Sequence, residues 1–586
     1  MQFNEQQKQV INFKDGNCVV LAGAGSGKST CLVNRIKNLI DSGVDEKDIT
    51  TITFTRGSAD DLKKKLKKLN IENIRVGTYH SICMNILRKE GYILEKQLND
   101  FEYKKVFKEL NGNKTPKWKD IINFISFQKN NMIDVNDDFV YKDSEYSEVE
   151  LRRYYKAYEK LKRDEGCFDF DDVLLWTYEV LLKSNGKYSC KYLLVDEAQD
   201  NNLVQNKMLA LLCPSNNIML IGDFRQSIYS FRGSKPEDFM DFNKLLSNCS
   251  VVNLDLNYRS KSNIVNNANK FISKYYGSYK HYADSIPSNE FDGNIEIIDE
   301  SSSEDEAKIV VDKIEKLLKH GCKPSEICVL YRLNSQSNYV ENELKSRKIP
   351  YDIAKENSFF KRKEIDIIMC MLRLIKNSSD NEAYSKLYTY RMIPFLSKNT
   401  FKEIENLSAK LNISLLNASE SIRSSKSYET KAIKEFSDIV NKLTRQYQTG
   451  TSLNILVDNI IILLNINDYI VDTYGEEAEI EDRKQSLVNF KKFIRNNTLD
   501  TFVKYVYEKN SNQKKNANNV QLMTLHKSKG LEFNNVFLIG VDEGKFPNAK
   551  ADIYDEARLM YVGVTRAKEN LYLSSSMSSI FIEQYQ

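Results

Sequence analysis

Histidine is scarce in this chain, with four in 586 residues, and its ten cysteines include no CxxC pair. No His/Cys cluster stands at ligand spacing, which argues against structural zinc or an iron–sulfur centre and leaves reduced thiols as the expectation. Excess charge is also missing: a net +4 over this length excludes a general basic coat, so any nucleic-acid surface must be a local groove. The N-terminus, MQFNEQQKQV, has no apolar core for a signal peptide. The most apolar later run, Ile455 to Leu464, is short and carries Asp458 and Asn459, so no membrane span is expected and a cytoplasmic location is. With 41% hydrophobic and 28% charged residues, the composition is that of a globular protein, and the length suggests roughly four domains.

Apolar strands alternating with amphipathic helices give an α/β fold class, with parallel sheets. Residues 1–89 begin it, with strands at Cys18–Leu21 and Thr51–Phe54 and a helix placing Leu62, Leu66 and Leu69 on one face. Residues 90–165 turn helical and read as an insertion, and 166–256 resume the first domain with strands at Tyr192–Val195 and Asn217–Ile221. A second alternating block carries strands at Val251–Leu254, Ile295–Ile298 and Ile327–Tyr331. It resumes at Val520–Leu525, Val536–Ile539 and Leu571–Leu573. Its domain boundaries are read as 257–375 and 515–586, around a second helical insertion at 376–514. Ser301–Asp305 and Ser511–Asn519 read as short polar loops, and no internal repeat is evident.

The phosphate chemistry begins at Ala22-Gly23-Ala24-Gly25-Ser26-Gly27-Lys28-Ser29-Thr30, between an apolar strand and a helix. Glycines there let backbone N–H groups turn towards a phosphate, Lys28 would reach the β- and γ-phosphates of ATP, and Ser29 would ligate Mg²⁺. The strict pattern has glycine where Ala22 stands, so a glycine-rich turn without a ligand is the competing reading. Strand Leu193–Val195 then delivers Asp196 and Glu197. Asp196 suits a place in the Mg²⁺ shell and Glu197 the activation of water, against the plainer reading of a solvated acidic loop. Gln226, just past Gly222-Asp223 at the next strand end, is placed to sense the γ-phosphate.

DEAQD, GDFRQSIYSFRG (Gly222–Gly233), NYRS (Asn257–Ser260), TLHKSKGLEF (Thr524–Phe533) and YVGVTRAKENL (Tyr561–Leu571) occur in that order. Together they resemble the UvrD/Rep/PcrA family of superfamily 1 DNA helicases. The resemblance implies two RecA-like P-loop NTPase domains, each interrupted by a mainly helical insertion. It implies that Gln7 reads adenine, Tyr258 stacks on the base, Glu532 meets the ribose, and Arg259 and Arg566 reach the γ-phosphate upon closure of the two domains. It also implies a single-strand track. Phe54, Thr55 and Arg56 would form one loop of it, Thr78 and His80 another, Tyr229, Phe231 and Arg232 a third, with Asn334 and His526 from the second domain. Single strands are held by phosphate contacts and by aromatic faces on which any base stacks.

This chain departs from the family in places. Phe231 stands where tryptophan is common, and Ile393-Pro394-Phe395-Leu396-Ser397 stands where a glycine turn touches duplex DNA, so weak duplex contact is expected. The segment from Asp482 to Leu487 resembles the family pattern only loosely. The twenty or so residues after Arg566 lead to the expectation of no C-terminal extension or fused nuclease. Two readings follow: an ATP-dependent 3′→5′ helicase or translocase on single-stranded DNA and junctions, acting in repair, replication or recombination; or a DNA-binding NTPase that senses ends or displaces proteins without unwinding, within a repair or defence complex. A monomer is expected in isolation.

Overall fold

The computed structural model describes residues 2–98, 100–112, 116–140, 145–230, 233–353, 359–424, 426–474, 477–494, 498–511, 518–549 and 551–585. By its internal contacts the chain divides into two units, residues 1–310, 326–332 and 524–586 in the first and 311–325 and 333–523 in the second.

In the first unit, runs such as Asn17–Ala22 and Ile218–Gly222 are buried almost throughout, the signature of strands covered on both faces. Six of them form one sheet: β1 (Asn17–Ala22), β2 (Ile49–Thr53), β3 (Arg75–Thr78), β4 (Tyr192–Val195), β5 (Ile218–Gly222) and β6 (Cys249–Leu254). Their spatial order is β3-β2-β4-β5-β1-β6, and every pairing is parallel. Two expectations are corrected here. The strand read at Val251–Leu254 pairs with β1 and so belongs to this sheet and not to the second block. The strand at 75–78 was missed because its four residues, RVGT, carry one large apolar side chain.

The same unit holds a second parallel set, β7 (Asn294–Asp299), β8 (Ile327–Tyr331), β11 (Phe533–Leu538) and β12 (Ala567–Ser575), ordered β8-β11-β12-β7. In the second unit β9 (Tyr351–Ile353) pairs in parallel with β10 (Val520–Thr524), beside a helical core built from Ile365, Leu372, Tyr384, Phe436, Ile460 and Phe490 among others. The stretch read as a polar loop at Ser301–Asp305 instead enters a helix at Ser303, whose first turn is acidic and therefore suits the helix dipole. Among the described residues no single helix is long and apolar enough to cross a membrane. One bent pair, Leu453–Leu463 with Ile466–Thr473, passes on composition alone, and its Leu456, Val457, Ile460, Ile466 and Ile470 lie in the helical core.

Between residues 90 and 165 lie the helices Asp100–Leu110, Trp118–Asn130 and Glu148–Glu165, with an aromatic core of Tyr103, Phe107, Trp118, Tyr154 and Tyr158. A buried ion cluster ties these helices to the next. Lys129 Nζ donates to Asp169 at 2.6 Å and Asp172 at 2.5 Å, while Lys162 Nζ lies 2.8 Å from Asp172 and from Glu159. The three carboxylates could crowd one cation, but two ammonium groups already lie among them. Burial alone would lower the Lys129 pKa, yet Asp169 and Asp172 hold it well above its ordinary value. Lys129→Met should therefore destabilise the protein by about 3–5 kcal/mol in denaturant unfolding, because buried carboxylate charge is left short of a partner. The double variant Lys129→Met/Asp172→Leu should recover part of that loss.

Candidate nucleotide and single-strand site

Strands β4, β5 and β1 lie side by side, so the loops leaving their carboxyl ends converge, as ligand-binding loops do in parallel sheets. The loop after β1 turns through Gly25 and Gly27 at φ +70° and +84°, a conformation that favours glycine, and enters the helix Lys28–Asp41. Ser26 Oγ donates to the Gly23 carbonyl at 2.9 Å, and Lys28 Nζ lies 3.3 Å from the Ala22 carbonyl, folded into the loop that would cradle phosphate. Ala24 is buried within that loop, while Ser29 and Thr30 open the helix, the Ser29 side chain exposed. Such a loop, with a lysine inside it and a hydroxyl at its mouth, fits a nucleotide with its Mg²⁺.

Asp196 and Glu197 follow directly on β4, and Glu197 adopts φ +55°, left-handed for a non-glycine residue. Strain of this kind clusters at functional sites. Both residues are half-buried. Burial and the neighbouring Glu197 charge push Asp196 up. Burial would raise Glu197 too, but the cations Lys529 and Lys28 override it and hold Glu197 well below the usual carboxylate range.

Gln226 is fixed at both ends of its amide: Nε2 donates to Asp223 at 2.8 Å, and Oε1 accepts from Arg566 Nη2 at 3.0 Å. Arg566 is 1% exposed, donates also to the Val562 and Leu531 carbonyls, and is lowered to about 9 by burial and by nearby Arg259. Arg259 is turned elsewhere. Its Nε donates to Glu532 at 2.8 Å and its Nη1 to the Thr565 carbonyl, and Glu532 also pairs with Lys568 at 2.6 Å. Gln7 Nε2 reaches the Ser26 carbonyl at 3.2 Å, and Tyr258, 47% exposed, accepts a hydrogen bond from Asn4 beside it.

Of the track residues, Phe54 and Tyr229 stack with ring centroids 4.6 Å apart, and His526 lies 6.5 Å from Tyr229. Burial, with Arg332 and Lys529 nearby, pushes the His526 imidazole down to about 4, so it is neutral at physiological pH. Thr55 and Thr78 have a local duty, since each hydroxyl caps a helix by accepting the N–H of Ser58 or Ser81. Arg56 is exposed at the first of these helix starts, and His80 packs edge-on against Phe170. Asn334 begins a short 3₁₀ turn in the second unit. Phe231 and Arg232 lie outside the described residues.

Three residues in this site had escaped sequence reasoning. Lys529 Nζ pairs with Asp200, donates to the Gln226 carbonyl at 2.7 Å, lies 3.6 Å from Glu197 and stands 5.3 Å from the Tyr229 ring centre. Arg558 Nε donates to the Ser227 carbonyl at 2.5 Å, and Asp555 accepts from Ser230. Together with Arg566 they hold residues 226–230 at four points. The one available signal was their place inside or just before the TLHKSKGLEF and YVGVTRA motifs.

Comparison with known proteins agrees with this geometry. Residues 3–247 match the family model of the UvrD/REP helicase N-terminal domain and 252–578 that of the UvrD-like helicase C-terminal domain. An "ATP-dependent DNA helicase Rep" of Buchnera aphidicola subsp. Schizaphis graminum (strain Sg) is 32% identical over 99% of this chain and 94% of its own length. An "ATP-dependent DNA helicase PcrA" of Leuconostoc citreum is 29% identical over 100% of this chain and 83% of its own. A loop, a carboxylate pair and a sensor arranged as above, with both halves of the family matched across nearly the whole sequence, establish that this chain belongs to the UvrD-like helicase family.

Proposed function

We propose that this protein is an ATP-dependent DNA helicase that moves 3′ to 5′ along single-stranded DNA. One observation carries the reading: residues 226–230 serve both sites. Gln226 joins Asp223 to Arg566 at the nucleotide end, and three positions on Tyr229 stacks on Phe54 where a strand would lie. A change felt by Gln226 thus displaces an aromatic platform three residues further along the chain.

In this reading Lys28 binds the β- and γ-phosphates of ATP, Gln7 and Tyr258 hold the base, and Ser29 with Asp196 holds Mg²⁺, which would neutralise phosphate charge. Glu197 takes the proton of the attacking water, and its depressed pKa keeps it ionised and ready. Arg566 stabilises charge on the transferring phosphoryl group. Arg259 does so once it exchanges Glu532 for phosphate, and the released Glu532 then meets the ribose. Phe54, Tyr229 and His526 grip the strand, aided by Arg56, His80, Asn334, Phe231 and Arg232. The domain boundaries proposed are those read from the sequence, two RecA-like domains each with its helical insertion.

A fork with a 3′ tail tests the reading. Unwinding beside streptavidin displacement from a single strand supports a helicase, whereas displacement without unwinding supports a protein-clearing NTPase.

Lys28→Ala should abolish hydrolysis, while Glu197→Gln should retain ATP binding, followed with a fluorescent analogue, and lose turnover; wild-type turnover in Glu197→Gln would remove it as the base. Arg566→Ala should lower turnover by about 10³-fold with single-strand affinity in the absence of nucleotide intact. Lost DNA binding at normal basal ATPase would place Arg566 on the track. Lys529→Met should act through pH. The rate rises as Glu197 ionises, and Lys529 is the largest influence holding that pKa down, so its removal should move the acid limb of the pH–rate profile to higher pH. An unmoved acid limb would show that Lys529 only packs.

A further inference from the structure

Within GDFRQSIYSFRG one charged side chain has no part in the reading above. Arg225 lies in the first unit, two residues past Asp223 and next to Gln226, and it is buried. Burial would lower its pKa, but the Asp223 charge outweighs burial and raises it above the ordinary guanidinium value. Arg225 Nε donates to Asp223 Oδ1 at 2.9 Å, its main-chain N–H reaches the same oxygen at 3.1 Å, and Nη1 donates to the Ala283 carbonyl at 3.0 Å. The guanidinium carbon stands 5.3 Å from the ring centre of Tyr561, in the helix Ile553–Val564. A Cβ placed on Gly23 would meet Nη2 at 3.1 Å, so the same group also lies against the opening of the phosphate loop.

What this cation does follows from the carboxylate it meets. Asp223 is buried, and burial alone would raise its pKa. Arg225 is the largest influence that brings it below the ordinary value, with Lys28 and the Gln226 hydrogen bond adding to it. An ionised carboxylate accepts hydrogen bonds and donates none. Asp223 Oδ2 therefore calls for a donor, and the Nε2 end of the Gln226 amide supplies it at 2.8 Å. The Oε1 end is left to face Arg566 Nη2, at 3.0 Å.

Cation, anion, amide and cation thus stand in a line of fixed polarity. A protonated Asp223 could donate to Oε1 instead, which would turn the amide over and set its NH₂ group against a guanidinium that has only donors. Which end of Gln226 faces Arg566 is therefore decided at the far end of the line, by the charge beside Asp223.

We infer that Arg225 is a positioning residue for ATP hydrolysis: it keeps Asp223 a pure acceptor and so sets the orientation in which Gln226 meets Arg566 and the γ-phosphate. The inference rests on the ATPase reading of this site and adds to it a side chain that acts through two others. The Ala283 carbonyl, the Tyr561 ring and Gly23 hold the guanidinium in place for that task.

The test uses the full chain with single-stranded DNA at saturation, each variant being checked for folding by thermal unfolding. Arg225→Met should lower kcat for ATP by roughly tenfold or more and leave the affinity for ADP, which has no γ-phosphate to sense, within about twofold of wild type. Arg225→Gln, neutral and still able to donate to the Ala283 carbonyl, should behave like the methionine variant and serves where that one does not fold. Arg225→Lys returns a cation to Asp223 and should recover most of the rate. In a Gln226→Ala background Arg225→Met should cost nothing further, because the group it orients is gone. Full kcat in the neutral variants would overturn the inference. So would losses that multiply in the double variant, or equal losses with lysine and methionine, either of which makes Arg225 a packing residue. Failure of both neutral variants to fold would make it a requirement of the fold, and a parallel loss of ADP affinity would assign it to the phosphate loop through Gly23; each overturns the inference as well. All of these leave the wild-type ATPase standing. A wild type that hydrolyses no ATP would overturn the nucleotide reading itself, and this inference with it.

Discussion

One ammonium group organises the centre of this protein. Lys529 is nearly buried, and it stays charged there because Asp200 and Glu197 outweigh the cost of burial. A charge in that position would otherwise cost several kcal/mol, so whatever moves either carboxylate moves the lysine too. The same Nζ holds the Gln226 main chain and faces the Tyr229 and Phe54 rings. Glu197, the Gln226 main chain and the Tyr229 and Phe54 rings thereby all face one atom, which makes their coupling a matter of charge balance as well as of shape.

Around that centre the second sheet's motifs reach back onto the first. The helix Ile553–Val564 offers Arg558 and Asp555 to residues 227–230, and Arg566 just past its end meets Gln226. A helix pinned near both ends to a five-residue segment transmits displacement with little loss, since packed interiors yield in steps and not gradually. Arg259 is poised differently. Its pairing with Glu532 keeps a cation close to the loop while its guanidinium is held by a carboxylate.

The strands of the first sheet were legible because burial on both faces requires continuous apolar runs, and VVLA and LLV leave little choice. The short strand RVGT was not legible, since neighbours define it and composition does not. Val251–Leu254 was seen as a strand but assigned to the wrong block, because periodicity says nothing about pairing partners. The nucleotide-site residues could be read from their motifs, but their present contacts could not: Arg259 facing Glu532 is a tertiary fact. Lys529 escaped notice because a lysine between serine and glycine looks like surface until the fold buries it. Thr55 and Thr78 show the opposite limit, where a motif position also carries the ordinary work of a helix cap.

The packing around Gly25 changes how damage to the phosphate loop is to be understood. The Asn257 side chain donates to the Ala24 carbonyl and the Tyr258 N–H to the Gly25 carbonyl, so NYRS lies directly on the loop. A Cβ added at Gly25 would stand 2.6 Å from the Arg259 Cβ, and the φ of +70° is hostile to any side chain. The glycine is therefore required by the protein's own architecture before any nucleotide arrives. Loss of activity on replacing it measures the seating of one segment upon another, and a sequence that keeps this glycine while discarding hydrolysis would still be obeying the fold.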